Sequence, residues 1–176
     1  LGFSDTPAWK VAQAQTQALL RGLEPLVALQ IEYSLIERSV EGELIPAALE
    51  LGLGVTPWSP LKYGILSGKY RRGQPHPPGS RHLAEWGEPP VRDESRLYDI
   101  VEELVAIAGE RGVAPAQLAL AWCVKNPHVS TVITGASRIE QVHDNLKSLD
   151  YVAKLTPEVM ARIDSILGNK PQTPRI

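Results

Sequence analysis

Apolar residues follow two patterns that alternate along this chain, short runs and longer stretches with helical spacing. Four short apolar runs, at 1–5, 26–35, 53–61 and 129–135, predict β-strands, and longer runs with a 3.6-residue period predict the helices between them. The order of these elements predicts parallel βαβ units. The run at 26–35 is almost continuous, which is typical of a strand buried on both faces of a parallel sheet.

Residue types at the helix ends support this division. The first helix should begin after Asp5 or Thr6 as N-cap, with Pro7 in its first turn and Gly22 as its stop. The helix within 114–127 has to end before Pro127. The segment 71–93 is dense in Pro, Gly and Arg, and a loop of this length is either functional or disordered.

Apolar stripes predict which helix faces are buried. In the helix at 94–112 the stripe consists of Leu97, Ile100, Val101, Leu104, Val105 and Ala108. In the helix at 137–150 it consists of Ile139, Val142, Leu146 and Leu149. Both stripes are expected to face the core.

Two α/β folds fit strands spaced in this way, a (β/α)8 barrel and a doubly wound sheet. No G-x-G-x-x-G follows a strand, so the dinucleotide fingerprint of the doubly wound fold is absent. A complete barrel takes about 250 residues, and four strands would be half of one. The chain lacks an initiating Met and begins in what reads as mid-strand, which indicates a fragment of a longer protein.

Net charge, cysteine count and histidine spacing exclude several classes of function. The net charge of −2 gives no electrostatic footprint for nucleic acid or an acidic membrane. Cys123 is the only cysteine, so a disulfide framework is excluded and a reducing, cytoplasmic location is expected. The spacing of the histidines predicts no metal site, and neither a secretion signal nor a membrane-spanning run is present.

Polar or aromatic residues follow every predicted strand, where barrel enzymes place their ligand contacts. These residues are Ser4, Asp5, Gln30, Trp58, Ser59 and Gly135. Each has a structural alternative: Ser4 and Asp5 can cap a helix, Gln30 can fill a buried hydrogen bond, and Trp58 can belong to the core. As ligand contacts, Gln30 would read an amide group and Trp58 would stack on a ring.

The stretch "TGASRIEQVHDN" (134–145) has a second set of candidates. Arg138, Gln141 and Asn145 share a helix face about a quarter turn from the apolar stripe. Gly135 allows a close backbone approach, the helix start suits an anion, and Arg138 offers a fork for phosphate oxygens. Gln141 and Asn145 can bind a base or a ribose. The alternative is a solvated helix capped by Ser137.

Together, "GFSD", the run from 29 to 70 and "TGASRIEQVHDNL" resemble the C-terminal half of an aldo-keto reductase. The branch is the one similar to potassium-channel β-subunits and bacterial general oxidoreductases, and the resemblance covers nearly the whole chain. It implies that residues 1–176 belong to one (β/α)8 TIM barrel domain and supply its strands five to eight. It also implies NADP(H) as cofactor and reduction of an aldehyde or ketone.

The resemblance implies contacts to both ends of the cofactor. Ser4 and Gln30 would hold the nicotinamide carboxamide, Trp58 would stack on the nicotinamide ring, and Asp5 replaces the family's frequent Asn. The pyrophosphate would be lined by Ser59, Pro60, Leu61, Gly64, Leu66 and Lys69, with Arg81 closing over the phosphates. The 2′-phosphate, ribose and adenine would be contacted by Gly135, Ser137, Arg138, Gln141, Asp144 and Asn145.

The family's catalytic Asp, Tyr, Lys and His lie in its first four strand units, and none maps onto this sequence. The 176 residues by themselves are therefore expected to hold cofactor without reducing a substrate. A half barrel would expose sheet edges, so the expected partner is the N-terminal half or a second copy of the chain. The alternative function is a non-catalytic NADP(H)-binding regulatory or structural fragment.

Overall fold

A parallel sheet of three strands organises the chain. The computed structural model describes residues 1–80 and 94–172. The strands are β1 (Gly2–Ser4), β2 (Ala28–Glu32) and β3 (Gly54–Trp58). They pair in the order β1-β2-β3, and the register places Ser4 beside Gln30 and Gln30 beside Thr56. The predicted α/β class with a parallel sheet is confirmed.

Six α-helices lie in the described residues. They are α1 (Ala8–Leu20), α2 (Leu44–Glu50), α3 (Glu94–Glu110), α4 (Pro115–Lys125), α5 (Ile139–Leu146) and α6 (Pro157–Leu167). Shorter 3-10 segments cover Ser39–Glu41, Lys62–Ser67 and Lys147–Lys154. Helix α4 ends before Pro127, as predicted. In the described part of the chain, no helix is long and apolar enough to span a bilayer.

The predicted N-cap of α1 is wrong. Pro7 occupies the N-cap position, and no side chain caps the helix there. The Thr6 hydroxyl instead donates to the carbonyl oxygen of Ser4 at 3.0 Å. The Asp5 carboxylate accepts the indole N–H of Trp58, because the turn after β1 directs it toward β3.

The sheet is buried on one face only. Leu29 and Ile31 of β2 and Val55 of β3 are almost fully buried, whereas Gln30, between the first two, is exposed. The prediction that this strand is buried on both faces is therefore wrong. The described residues bury the face of Leu29, and the opposite face presents polar side chains.

The fourth predicted strand is an extended segment rather than a strand. Val129 forms one isolated parallel bridge with Val55, and the amides of Ser130 and Ile133 donate to the carbonyls of Val55 and Pro57 at 2.8 Å. The Val55 N–H is donated to the Ser130 hydroxyl at 3.2 Å. The Val55 N–H is therefore bonded to a side-chain hydroxyl, whereas in a regular parallel sheet it would donate to a backbone carbonyl.

The described residues divide into two compact units. The first contains Leu1–Pro60, Cys123–Gly135 and the residues from Asn169 onward. The second contains Leu61–Trp122 and Ala136–Gly168. Ile107, Leu120 and Ile163 are among the most deeply buried side chains of the second unit.

The two predicted apolar stripes have different outcomes. In α3 all the predicted residues are buried except Val105, which is half-buried. In α5 the prediction is wrong, since Ile139 is 62% exposed and Leu146 is 60% exposed. Val142 and Leu149 are exposed as well. Helix α5 is amphipathic, but the described residues do not cover its apolar side.

Candidate functional site

Five side chains gather where the three strands end, and we name them the strand-end cluster. They are Ser4, Asp5, Gln30, Glu32 and Trp58. The register brings Ser4 and Gln30 side by side, and both are exposed. The Gln30 amide group is therefore available to a polar ligand, whereas the Ser4 hydroxyl donates its hydrogen to Asp5 and can offer its oxygen as an acceptor. Trp58 is half-buried, so part of its indole ring remains accessible.

Asp5 connects the members of this cluster. Its carboxylate oxygens lie 2.9 and 3.1 Å from the indole nitrogen of Trp58. The Glu32 backbone N–H donates to Oδ1 at 3.1 Å, and the Ser4 hydroxyl donates to Oδ2 at 3.1 Å. The Asp5 N–H donates to the carbonyl of Gln30 at 3.0 Å. Asp5 thus joins the ends of β1, β2 and β3.

The loop that follows β3 has an unusual backbone. Ser59, Lys62 and Tyr63 have φ angles of 53°, 42° and 54°, and Gly64 has 91°. Non-glycine residues in this region cost on the order of 1–3 kcal/mol each, and such residues concentrate at ligand clamps. A Cβ at Gly64 would lie 3.0 Å from Nζ of Lys69. Glycine therefore lets the Lys69 side chain lie against the loop.

The predicted pyrophosphate contacts differ in exposure. Pro60 and Leu66 are buried, so the side chains of these two residues do not face solvent. Ser59 and Leu61 are half-buried, and Lys69 is exposed with Nζ 5.0 Å from the ring centre of Tyr70. Arg81 lies outside the described residues. A role of this loop in binding pyrophosphate stays a prediction.

A polar group at the start of α5 brings together three of the predicted adenosine contacts. The side-chain oxygen of Gln141 accepts the amide N–H of Ser137 at 2.8 Å and that of Arg138 at 3.3 Å. It also accepts the Ser137 hydroxyl at 3.2 Å. The Gln141 oxygen is therefore engaged in holding the helix start, while the Arg138 side chain is exposed. We name these three residues the helix-start group.

The other three predicted adenosine contacts are Gly135, Asp144 and Asn145. Asn145 is half-buried, whereas Asp144 is exposed and its Oδ1 pairs with Nζ of Lys147 at 2.9 Å. Gly135 is exposed, and no atom would lie within 4 Å of a Cβ added there. Binding of adenosine phosphate by these residues stays a prediction.

The sequence pattern did not single out Gln117, which fixes α5 in place. Its side chain is buried, its oxygen accepts the Ala114 N–H at 3.1 Å, and its amide nitrogen donates to the carbonyl of Asp144 at 3.0 Å. The available signal was a single amide side chain immediately before the apolar run "LALAW". Such a residue requires hydrogen-bond partners if it is buried.

Comparison with known proteins identifies the family of this chain. The family model described as Aldo/keto reductase family matches residues 1–168. The chain belongs to the aldo-keto reductase family. Aldo-keto reductases generally bind NAD(P)H.

Three aldo-keto reductase relatives share 38–40% identity with the chain. A probable voltage-gated potassium channel subunit beta from Oryza sativa subsp. japonica is 40% identical over 97% of the chain and 53% of its own length. A putative one from Schizosaccharomyces pombe is 40% identical, over 97% and 50%. A probable one from Arabidopsis thaliana is 38% identical, over 98% and 53%. The chain spans about half the length of these relatives.

Proposed function

We propose that this chain is the NADP(H)-binding C-terminal half of a (β/α)8 barrel reductase that converts aldehydes or ketones to alcohols. The observation that carries the proposal is the exposed pair Ser4 and Gln30 beside Trp58 at the ends of parallel strands. Ligands of barrel enzymes bind at that end of the strands. Because aldo-keto reductases generally bind NAD(P)H, a nicotinamide cofactor is the expected ligand.

The residues present fit such a cofactor. Ser4 and Gln30 would bind the carboxamide, and the accessible part of the Trp58 indole would face the nicotinamide ring. The strained loop with Gly64 and Lys69 would bind the pyrophosphate, and a strained backbone beside a lysine is typical of an anion site. When bound, NADPH supplies the two electrons of carbonyl reduction.

The preference for the phosphorylated cofactor would come from Arg138, because its exposed guanidinium can pair with a 2′-phosphate. Gly135, Ser137, Asp144 and Asn145 would surround the same end of the cofactor. Gln141 would contribute mainly by holding the helix start, since its oxygen already accepts three donors. A cytoplasmic location is part of the proposal.

We expect no carbonyl reduction from these 176 residues in isolation, because the family's catalytic Asp, Tyr, Lys and His do not map onto them. A segment equivalent to the N-terminal half of the barrel, or a second copy of the chain, would complete the site. The substrate class is a small-molecule carbonyl compound.

A second candidate is a non-catalytic NADP(H)-binding subunit. It is favoured by the three relatives, which are described as probable or putative voltage-gated potassium channel subunits beta. The two candidates differ in turnover rather than in cofactor binding. Activity with an aldehyde, once the chain is combined with a segment bearing the catalytic residues, supports the reductase. Cofactor binding without turnover in that combination supports the regulatory subunit.

Cofactor binding can be tested by tryptophan fluorescence. We expect NADPH to quench the emission saturably and to bind more tightly than NADH. Arg138→Ala should weaken NADPH binding by about tenfold, since a hydrogen-bonded charge is lost, and should leave NADH binding unchanged. Arg111→Ala, which removes an exposed arginine of the same unit, is the matched control. Absence of saturable quenching by NADPH would refute the cofactor assignment.

A further inference from the structure

Asp5 is bound by several of the protein's own groups at the strand ends. Its backbone follows β1 with φ at 43°, in the left-handed region that residues with a side chain adopt rarely and Asp more readily than most. Three groups donate to its carboxylate: the Trp58 indole, the Glu32 amide and the Ser4 hydroxyl. Each carboxylate oxygen accepts from two of them. Three of the protein's own hydrogens therefore fill most of the roughly four acceptor sites of the Asp5 carboxylate.

The contact with Trp58 fixes the orientation of the ring. An indole has a single polar hydrogen, and here both carboxylate oxygens lie within 3.1 Å of its nitrogen. The rotation of the side chain is restricted because the donor has to stay in the plane of the acceptor. Asp5 and Trp58 lie 53 residues apart in sequence, so the bond also connects the ends of β1 and β3.

We propose that Asp5 is a positioning residue that sets the Trp58 ring for the nicotinamide and makes the site favour the oxidised cofactor. This inference rests on the proposed function. A carboxylate at the N–H edge increases the electron density of the indole, and an electron-rich ring face attracts cations. The nicotinamide ring is positively charged in NADP⁺ and neutral in NADPH. Asp5 therefore stabilises the complex with NADP⁺ more than the complex with NADPH.

The first measurement needs no cofactor. In the full chain labelled with ¹⁵N, Trp58→Phe assigns the indole N–H resonance of Trp58. Asp5→Ala should move this resonance upfield and speed its exchange with solvent, because the charged acceptor is lost. Glu50→Gln removes an exposed carboxylate from α2 and should leave the resonance in place. An unchanged indole resonance in Asp5→Ala would overturn the proposal.

The second measurement compares the dissociation constants of NADP⁺ and NADPH by calorimetry. Asp5→Asn keeps an acceptor oxygen but removes the charge. It should lower the preference for NADP⁺ by about threefold, the size expected of a cation–π contact near the surface. Equal losses for both forms would overturn the redox preference, since a structural role alone weakens both. Glu50→Gln should keep the original ratio.

The two measurements also separate this inference from the proposed function. If the parent chain binds neither cofactor while the Trp58 resonance responds to Asp5→Ala, the proposed function and the redox preference both fail. The positioning of Trp58 by Asp5 is then established without them. If the cofactors bind and the resonance does not respond, Asp5 has no positioning role and the proposed function stands.

Discussion

Tyr33 lies just after β2 in a buried polar group. Its hydroxyl donates to the Glu41 carboxylate at 2.6 Å and accepts from the Asn126 amide at 3.1 Å. Arg38, also buried, forms two bonds of 2.9 Å to the same carboxylate. Burial and then the Glu41 hydrogen bond raise the pKa of Tyr33 well above its ordinary value. Each buried polar group here depends on another for its partner.

This shifted pKa predicts a loss of stability in alkali. The unfolded chain ionises its tyrosines from about pH 10, whereas folded Tyr33 keeps its proton. The stabilisation is therefore complete below about pH 10 and is lost as the pH rises, by up to about 1.4 kcal/mol per pH unit. Urea unfolding between pH 8 and 11 measures this loss of stability. The experiment uses a Cys123→Ala background, because burial also raises the pKa of the Cys123 thiol.

Tyr33→Phe is the informative variant, because it removes the ionisable group from the buried cluster. It should flatten the alkaline slope of the unfolding free energy, and Tyr151→Phe should leave that slope unchanged. At neutral pH, Tyr33→Phe should cost about 1–3 kcal/mol, since Glu41 and Asn126 lose a buried partner. The same alkaline slope in Tyr33→Phe and in the parent would show that another group causes it.

At the scale of single elements, the buried side chain of Gln117 links α4 to α5. Gln117→Leu would leave the Ala114 N–H and the Asp144 carbonyl without their partner, so it should cost about 1–3 kcal/mol. It should also speed hydrogen exchange of the α5 amides. Gln13→Leu, an exposed position on α1, should change the unfolding free energy by less than about 0.5 kcal/mol. Equal costs in the two variants would contradict the role of Gln117.

The periodicity of apolar residues predicted the helices and three strands, because both depend on local sequence. The replacement of the fourth predicted strand by an extended segment was not predictable in this way, since the Ser130 hydroxyl accepts the Val55 N–H and a side-chain hydrogen bond has no period. The contact between Asp5 and Trp58 spans 53 residues, so the residues around Asp5 indicated only a helix cap or a ligand contact. The resemblance to the family named the candidate residues but not their mutual bonds.

At the scale of the whole molecule, the apolar residues Ile139, Val142 and Leu146 of α5 are exposed together. Such surfaces drive association in proteins that expose them. We therefore expect the chain to self-associate at high concentration. Ile139→Gln together with Leu146→Gln should reduce the sedimentation-derived mass while changing the unfolding free energy by less than about 0.5 kcal/mol.

Glu140→Gln, exposed on the same helix, is the control for that double substitution and should not alter the mass. A double variant that still self-associates but unfolds more easily would show that Ile139 and Leu146 are packed rather than exposed.

The bonds at the start of α5 have a consequence for the response to salt. Gln141 already accepts the amide hydrogens of Ser137 and Arg138, so a phosphate arriving there would depend on the exposed guanidinium of Arg138. Exposed charge pairs are screened by ions, with a Debye length of about 8 Å at physiological ionic strength. Discrimination between the phosphorylated and unphosphorylated dinucleotide would then weaken as ionic strength rises. The salt content of its surroundings, and not only the supply of each dinucleotide, would decide which one the protein carries.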